Sequence, residues 1–279
     1  GGGIICAGGS PVITDCNISY NSATEDGGGF YCAESNSPTL TRCEINYNDA
    51  NCGGGIICVE SNATFIDCNI IGNTAQADGG AIYSENSKPN IVNCVIKGNT
   101  ATVDAGGIIY VGSDPNLSAG TIDDCNITGN IATEDGGGIY LSFSSPVITR
   151  CTINRNEASS AAGIECVSGS PNFNSCDITR NIATEDCGGV LSSNSNSPSF
   201  NRCNINYNNA AYGGGFMCTD SDPNFTDCNI IGNTATEDGG GGYLSESMAS
   251  LIRCRIGDND ANYAGGAIFV ASNPSLADC

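Results

Sequence analysis

Cysteine is the first residue type in this sequence that could carry chemistry. The chain of 279 residues contains 18 Cys and no His, so it offers neither a Cys-His nucleophile pair nor an imidazole metal ligand. No CxxC pair is present, which argues against a zinc or iron–sulfur centre. Most of the Cys recur at a nearly constant interval, with one longer interval before Cys125. This main cysteine column consists of Cys16, Cys43, Cys68, Cys94, Cys125, Cys151, Cys176, Cys203, Cys228, Cys254 and Cys279.

The main cysteine column predicts a stack of small buried side chains. Each of its first ten members is followed two positions later by Ile, and in an extended strand such positions share one face. Free Cys is among the most buried residue types. Neighbouring turns of a repeat would bring Cα atoms within disulfide range, so axial bridges remain an alternative.

Other Cys residues lie outside the main column. Cys6, Cys32 and Cys58 form a second, short column, which we expect to behave in the same way. Cys52 and Cys187 fit neither column, because they stand where other repeats have Asp or Gly at a turn. We therefore predict that Cys52 and Cys187 are exposed thiols or form bridges between chains.

A column of Asp ahead of glycine-rich segments is a second candidate for chemistry. Its members are Asp26, Asp78, Asp104, Asp135, Asp186 and Asp238. Carboxylates stacked on one edge repel each other, and Ca²⁺ would relieve this with the oxygen ligands that it prefers. The alternative is a solvated turn that keeps the molecule soluble. We expect no other cofactor.

The charge balance limits the partners. Thirty Asp and Glu against nine Lys and Arg give a formal charge of −21, whereas nucleic acids and anionic lipids need clustered basic groups. We therefore expect no nucleic-acid partner. Nor do we expect membrane insertion, because no apolar run approaches the roughly 18 to 20 residues of a membrane-spanning helix.

A fixed repeat organises these residues and takes precedence over local propensity. The phrase CxIxxNxA follows each of the first ten Cys of the main column. The phrase CNIIGNTA occurs at both 68–75 and 228–235, an offset of 160 that also lays Gly53 on Gly213 and Gly79 on Gly239. Six repeats therefore form a larger unit, the super-repeat.

The repeat unit predicts three short strands, because apolar runs alternate with polar residues between Gly, Pro, Asn and Asp. Three strands per roughly 26 residues indicate one coil of an all-β parallel β-helix, in which like residues stack about 4.8 Å apart. We expect the Asn of CxIxxNxA to form a hydrogen-bonded ladder and to occupy left-handed bends. Five extra residues around 118–122 are predicted to bulge out as a loop.

The periodicity predicts a single β-solenoid domain over residues 1–279. It contains ten full coils and a partial eleventh, and we expect it to be a segment of a longer polypeptide. The coils begin near residues 1, 27, 53, 79, 105, 136, 161, 187, 213, 239 and 265.

These motifs resemble known repeats. GGAI at 79–82 and 265–268 and the following IxxN motif are similar to the GGAI and FxxN repeats of chlamydial polymorphic outer-membrane proteins. The SSPVITRC phrase at 144–151 resembles right-handed β-helix repeat proteins secreted by bacteria. The resemblance implies a right-handed solenoid that is secreted or displayed on a cell surface, with an adhesive or structural role and no transferable catalytic residues.

An outer apolar stripe is predicted along the GGGIY segment. The position of Ile4 should face the core, so the next position should face outward. That position is apolar or aromatic in all coils except the one with Glu165. An apolar stripe of this length is typical of a covered surface. Its members are Ile5, Tyr31, Ile57, Tyr83, Ile109, Tyr140, Leu191, Met217, Tyr243 and Phe269.

Two functions from different classes fit this sequence. The first is a non-catalytic extracellular or cell-surface rod, either structural or adhesive, that self-associates or binds a host or neighbouring-cell protein or glycan. The alternative is a polysaccharide lyase or hydrolase of the pectin-lyase-like β-helix class, which would need clustered Asp with Arg or Lys. The nine basic residues are scattered among the repeats, which favours the first function.

Overall fold

The computed structural model describes residues 1–34, 36–114, 120–194 and 196–279. Within these ranges the alternating segments form short strands, and the strands stack into four parallel sheets. No helix occurs in the described ranges, so none is long and apolar enough to cross a membrane. The predicted all-β solenoid of about ten coils is confirmed, and each coil has the length of one sequence repeat.

Sheets 1 and 2 run the whole length of the solenoid. Sheet 1 consists of four-residue strands at Ile4–Ala7, Phe30–Ala33, Ile56–Val59, Ile82–Glu85, Ile108–Val111, Ile139–Ser142, Ile164–Val167, Val190–Ser193, Phe216–Thr219, Gly242–Ser245 and Ala267–Val270. Sheet 2 consists of three-residue strands at Val12–Thr14, Thr39–Thr41, Thr64–Ile66, Asn90–Val92, Thr121–Asp123, Val147–Thr149, Asn172–Asn174, Ser199–Asn201, Asn224–Thr226, Ser250–Ile252 and Ser275–Ala277.

Sheets 3 and 4 begin in the second coil. Sheet 3 consists of Glu44–Asn46, Asn69–Ile71, Val95–Lys97, Asn126–Thr128, Thr152–Asn154, Asp177–Thr179, Asn204–Asn206, Asn229–Ile231 and Arg255–Gly257. Sheet 4 consists of Asp49–Ala50, Thr74–Ala75, Thr100–Ala101, Ile131–Ala132, Glu157–Ala158, Ile182–Ala183, Asn209–Ala210, Thr234–Ala235 and Asp260–Ala261. The sequence predicted three strands per coil, whereas these two-residue strands add a fourth.

The fourth strand forms because the Asn before it is fixed at the bend. Asn48 Oδ1, for example, accepts hydrogen bonds from the backbone N–H and from Nδ2 of Asn21. The segment that follows, Asp49–Ala50, pairs in parallel with Thr74–Ala75 of the adjacent coil. The Ala at its end points inward and is buried, as at Ala75. A small residue is needed there because the coil turns sharply.

The Asn side chains form the predicted ladder along the axis. Asn99 donates from Nδ2 to Asn130 Oδ1 at 2.9 Å, and Asn130 donates to Asn156 Oδ1 at 3.1 Å. Each Oδ1 also accepts a backbone N–H, and each Nδ2 also donates to an Ile carbonyl. Every hydrogen-bonding atom of a buried amide is therefore satisfied by the neighbouring coils.

The left-handed bend lies one residue earlier than predicted. The residue before each ladder Asn has a positive φ, for example 59° at Tyr20, 53° at Tyr47 and 65° at Gly72. The Asn itself belongs to the inward-facing ladder, so its preceding neighbour absorbs the turn. Several of these positions are Gly, which adopts this conformation without the steric cost that a side chain adds.

The core is a set of stacked columns. The inward Ile of sheet 3, the Cys of the main column and the inward residues of sheets 1 and 2 are buried. Phe173, Phe200 and Phe225 stack with ring centroids 4.6 and 4.9 Å apart. The interior is thus continuous from coil to coil, and columns also contact each other, as at Phe216 and Phe225.

The predicted loop around residues 118–122 is only partly within the described residues, since residues 115–119 lie outside them. Thr121 and Ile122 do not bulge out. They pair with Asn90 and Ile91 in sheet 2, and Ile122 is fully buried. The regular coil therefore resumes at Thr121, so that Ile122 takes its place in the core.

Candidate interaction surface

The outer apolar stripe lies on the outer face of sheet 1, but its members differ in exposure. Tyr31, Tyr83 and Tyr140 are half-buried, as are Leu191, Met217 and Tyr243. Ile57 and Ile109 are only 2% and 3% exposed. Only part of the stripe is therefore available to a partner.

The buried Ile residues are covered by the adjacent turn. A Cβ added to Gly27 would lie 2.8 Å from Ile57 Cγ2, and one added to Gly79 would lie 2.9 Å from Ile109 Cγ2. The outer side chains thus pack against the glycine backbone of the preceding coil. The expectation that Ile57 and Ile109 are surface residues is wrong, because alternation describes direction and not coverage by the turn.

Phe269 does not belong to the stripe. It pairs with the buried Leu244, while Ile268 pairs with Tyr243. The register shifts by one residue after Gly241, because the N–H groups of Gly241 and Gly242 both donate to the Gly266 carbonyl. Phe269 therefore takes the position of a core residue, and its 44% exposure arises because no described coil covers it. At the other end Ile5 is 60% exposed.

Glu165 interrupts the stripe at its middle. It lies between Tyr140 and Leu191 in the register of sheet 1 and is 6% exposed. Among the described residues its Oε2 has no hydrogen-bond partner. Burial, together with the charges of Asp135 and Asp104, raises the pKa of this carboxyl to about 8. Glu165 is therefore largely protonated at neutral pH.

The Asp column is built into the turn. The backbone N–H of Asp104 donates to Asp78 Oδ1 at 3.1 Å, and that of Asp135 donates to Asp104 Oδ1 at 3.2 Å. Burial raises the pKa of Asp104 to about 6 and also raises that of Asp186. The carboxylates of Asp78 and Asp104 thus satisfy backbone amides of the next coil.

The predicted calcium sites on Asp26, Asp78, Asp104, Asp135, Asp186 and Asp238 lack the necessary geometry. In the part of the chain that the structure describes, no three His, Cys, Asp or Glu are grouped so that they could hold a metal ion. A coil supplies at most one Asp of this column, and the coils with Cys52, Ser160, Tyr212 and Ala264 supply none, whereas Ca²⁺ needs six to eight oxygens around one point.

The cysteines divide in an unexpected way. The main column is buried except at Cys16 and Cys279, the two ends. Cys52 is partly exposed, as predicted. Cys187, in contrast, is completely buried, so the prediction of an exposed or bridging thiol there is wrong. It occupies a turn with φ of 53°, and its thiol lies beside the backbone of Met217 and Gly189.

Exposed tyrosines occupy bends at two separate places, which the sequence analysis missed. Tyr20 is 79% and Tyr47 53% exposed, and their rings stack with centroids 5.2 Å apart. Tyr207 is 58% exposed, and the Arg180 guanidinium lies over its ring, 5.7 Å from the centroid. The signal was the super-repeat, since Tyr47 and Tyr207 occupy the same place in its two copies.

Glycine makes room for these rings. A Cβ added to Gly72 would lie 2.6 Å from the Tyr47 ring, and one added to Gly232 would lie 2.6 Å from the Tyr207 ring. Both copies of the super-repeat thus place a tyrosine ring flat against the glycine of the next coil. We call Tyr20, Tyr47 and Tyr207 the turn tyrosines.

Several arginines pair with aspartates of the neighbouring coil. The Arg42–Asp15 and Arg253–Asp227 pairs have closest distances of 2.7 and 2.6 Å, and both are bidentate. In both pairs the arginine lowers the pKa of the carboxyl. Exposed pairs of this kind contribute little to stability, and these two hold basic groups on the turn surface.

The clefts are small or shallow. One of about 130 Å³ is lined by Lys88, Tyr110, Asp114 and Phe143, which is below the roughly 300 to 1,000 Å³ of usual ligand sites. A broader depression of about 550 Å³ lies among Asp220, Asp222 and Glu246. Neither of these clefts contains a stripe residue, whereas a depression of about 220 Å³ in the first coil is lined by Ile5 and Tyr31.

The comparisons with known proteins bear on this arrangement of coils. The family model described as right handed beta helix region matches residues 1–121 and 116–261. The chain belongs to the right-handed β-helix family. A search of curated proteins and a search of solved structures found no match. The handedness implied by the repeat motifs is thereby shown for this β-helix.

Proposed function

We propose that this right-handed β-helix is a non-catalytic extracellular rod, structural or adhesive, that associates through its outer stripe. The preferred partner is a second copy of the chain. A protein or glycan on a neighbouring cell is the other candidate. The charge of −21 restricts either partner to surfaces that are neutral or basic where they meet the rod.

The observation that carries the proposal is the row of half-buried side chains on the outer face of sheet 1. Tyr83 and Tyr140 protrude on either side of the buried Ile109, and Leu191, Met217 and Tyr243 continue the row. Tyrosine is enriched in protein interfaces, because it buries a large apolar area and keeps one polar atom. Burial raises the pKa of Tyr83 to about 12, so the ring is neutral under physiological conditions.

The placement of the charged groups supports a non-catalytic role. Glu165 has a pKa suited to a general acid, but it is 6% exposed and lies between Tyr140 and Leu191 in the stripe. Arg42, Arg150 and Arg253 pair with Asp residues of neighbouring coils. Among the described residues, none of these four groups lines either of the two clefts.

Sedimentation velocity tests the proposal. The double variant Tyr83→Lys with Tyr140→Lys should lose concentration-dependent association, because a charge buried in an apolar interface must be desolvated. The matched control is Tyr20→Lys with Tyr47→Lys, which makes the same chemical change on the turn tyrosines and should leave association unchanged. Unaltered association of the stripe variant would overturn the proposal, and loss in the control alone would move the interface to the turn.

The alternative enzyme has one supporting observation. Lys88 and Asp114 line the same cleft, and the pectin-lyase-like class works with acidic and basic groups together. Incubation with a panel of pectins, alginates and neutral glycans tests it. Cleavage that disappears in Lys88→Met would establish catalysis, whereas an absence of products with all substrates would support the non-catalytic rod.

A further inference from the structure

Cys32 and Cys58 meet directly across sheet 1. They are register partners in adjacent parallel strands, and their Sγ atoms lie 3.1 Å apart. Both side chains are completely buried. Adjacent strands are about 4.8 Å apart, which is within the Cα separation of roughly 4.4 to 6.8 Å that a disulfide spans.

Thiols of the main cysteine column donate to carbonyl oxygens and also interact with the thiols of neighbouring coils, as at Cys94 and Cys125. The Cys43 thiol donates to the carbonyl oxygens of Thr41 and Ile13 at 3.4 and 3.6 Å, and this arrangement recurs along the column. Cys32 Sγ donates to the Ile57 carbonyl at 3.4 Å, and in addition it lies 3.1 Å from the sulfur of Cys58. In the same short column, Cys6 donates to the Gly9 carbonyl at 3.0 Å.

We propose that Cys32 and Cys58 form a disulfide when the chain meets a disulfide oxidant. The thiolate of one cysteine attacks the oxidant disulfide, which breaks its S–S bond, forms a mixed disulfide and releases one thiol. The second cysteine loses its proton and attacks the mixed disulfide, which releases the other thiol. The pair loses two protons and two electrons, and the oxidant becomes two thiols.

The local electrostatics supports the first step. The Cys58 thiol lowers the pKa of Cys32, because it can donate a hydrogen bond to the Cys32 thiolate. Since both sulfurs are buried, exchange takes place during folding or in a locally opened coil. The bridge would close a loop of one coil and fasten two neighbouring strands.

The second super-repeat provides an internal control. Ser192 and Cys218 stand there in the places of Cys32 and Cys58. Ser192 pairs with both Cys166 and Cys218 in sheet 1, and all three are buried. Cys166 and Cys218 are thus two coils apart, about 10 Å, which is too far for a disulfide. They should remain thiols.

Mass mapping tests the proposal. The chain is refolded with oxidised and reduced glutathione, unfolded in the presence of an alkylating agent without reductant, and digested. We expect a peptide pair that links Cys32 to Cys58 with the loss of two hydrogens, and alkylated Cys166 and Cys218. Full alkylation of both Cys32 and Cys58, or a link from Cys32 to Cys6 instead, would overturn the proposal.

Two variants make the result independent of folding yield. Cys58→Ser should leave Cys32 alkylated in the folded fraction. Ser192→Cys should create a new link to Cys166 or Cys218, since it restores the arrangement of the first super-repeat. Such a link would support the rule of adjacent coils, and its absence in folded protein would contradict it.

Discussion

The asparagine ladder and the outer stripe run the same length of the solenoid but differ in what they tolerate. The ladder holds Asn in each of ten coils, and each amide between the two ends is bound by the coils on both sides. The stripe holds Ile, Tyr, Glu, Leu and Met. A ladder of hydrogen bonds between Asn side chains requires Asn in every coil, because each amide must both donate and accept. Packing against a glycine turn requires only a side chain of suitable size.

This difference separates the part that folds the chain from the part that could meet a partner. The Asn ladder binds to its own copies and leaves little freedom in residue type, whereas the inward positions of sheets 1 and 2 vary among Cys, Ser, Tyr, Leu, Ile and Phe. Outer positions are partly covered by turns, so they can vary in size and exposure. The strongest test of this difference is to substitute residues in the interior and on the outer surface and to compare the losses in free energy of unfolding.

The largest expected loss comes from the interior aromatic stack. Phe200→Ala removes the ring between Phe173 and Phe225 and should lower the free energy of unfolding by about 3 to 5 kcal/mol. Ile182→Ala, at a position 49% exposed, is the control and should cost less than about 1 kcal/mol. Denaturant titration measures both, and equal losses would contradict a core of stacked columns.

A loss of similar size is expected within the ladder. Asn130→Ala leaves the Asn99 amide and the Ile96 carbonyl without their partner, and each such group costs about 1 to 3 kcal/mol. Asn172→Ala, on an exposed strand position, should change stability by less than about 0.5 kcal/mol. Denaturant midpoints of the two variants should therefore differ clearly. If they coincide, the ladder is not a stabilising element.

The next effect lies on the stripe and depends on pH. Glu165 has an ordinary pKa of 4.5 and a folded pKa of about 8, so the folded chain holds this proton more tightly than the unfolded chain. Its contribution to the free energy of unfolding should fall as pH rises from about 4.5 to 8, by up to about 1.4 kcal/mol per pH unit.

Glu165→Gln isolates this contribution. The variant should gain stability relative to the wild type as pH rises, while Glu157→Gln, at an exposed position, should follow the wild-type curve. Unfolding midpoints at several pH values measure the difference. Parallel curves for Glu165→Gln and the wild type would show that this carboxyl ionises normally.

The repeat period makes most of the fold predictable. Ile, Asn and Cys recur at one register, so their columns and the coil follow from stacking alone. The fourth strand was missed because its two residues carry no alternation. Cys187 and Ile57 were misjudged for a local reason, since burial there depends on how a turn covers its neighbour. Phe269 was misplaced because the register shifts by one residue at the hydrogen bond from Gly242 N–H to the Gly266 carbonyl. The GGAI motif itself gives no sign of this shift.

The two methionines test the central claim that the stripe is the interface. Met217 lies on the stripe and is half-buried, whereas Met248 lies off it and is 65% exposed. Oxidation of each to the sulfoxide can be followed by peptide mass spectrometry at rising protein concentration. We expect Met217 to become protected as the chain associates, with Met248 unchanged. Equal rates for Met217 at all concentrations while the protein associates, or protection of Met248 instead, would contradict this account.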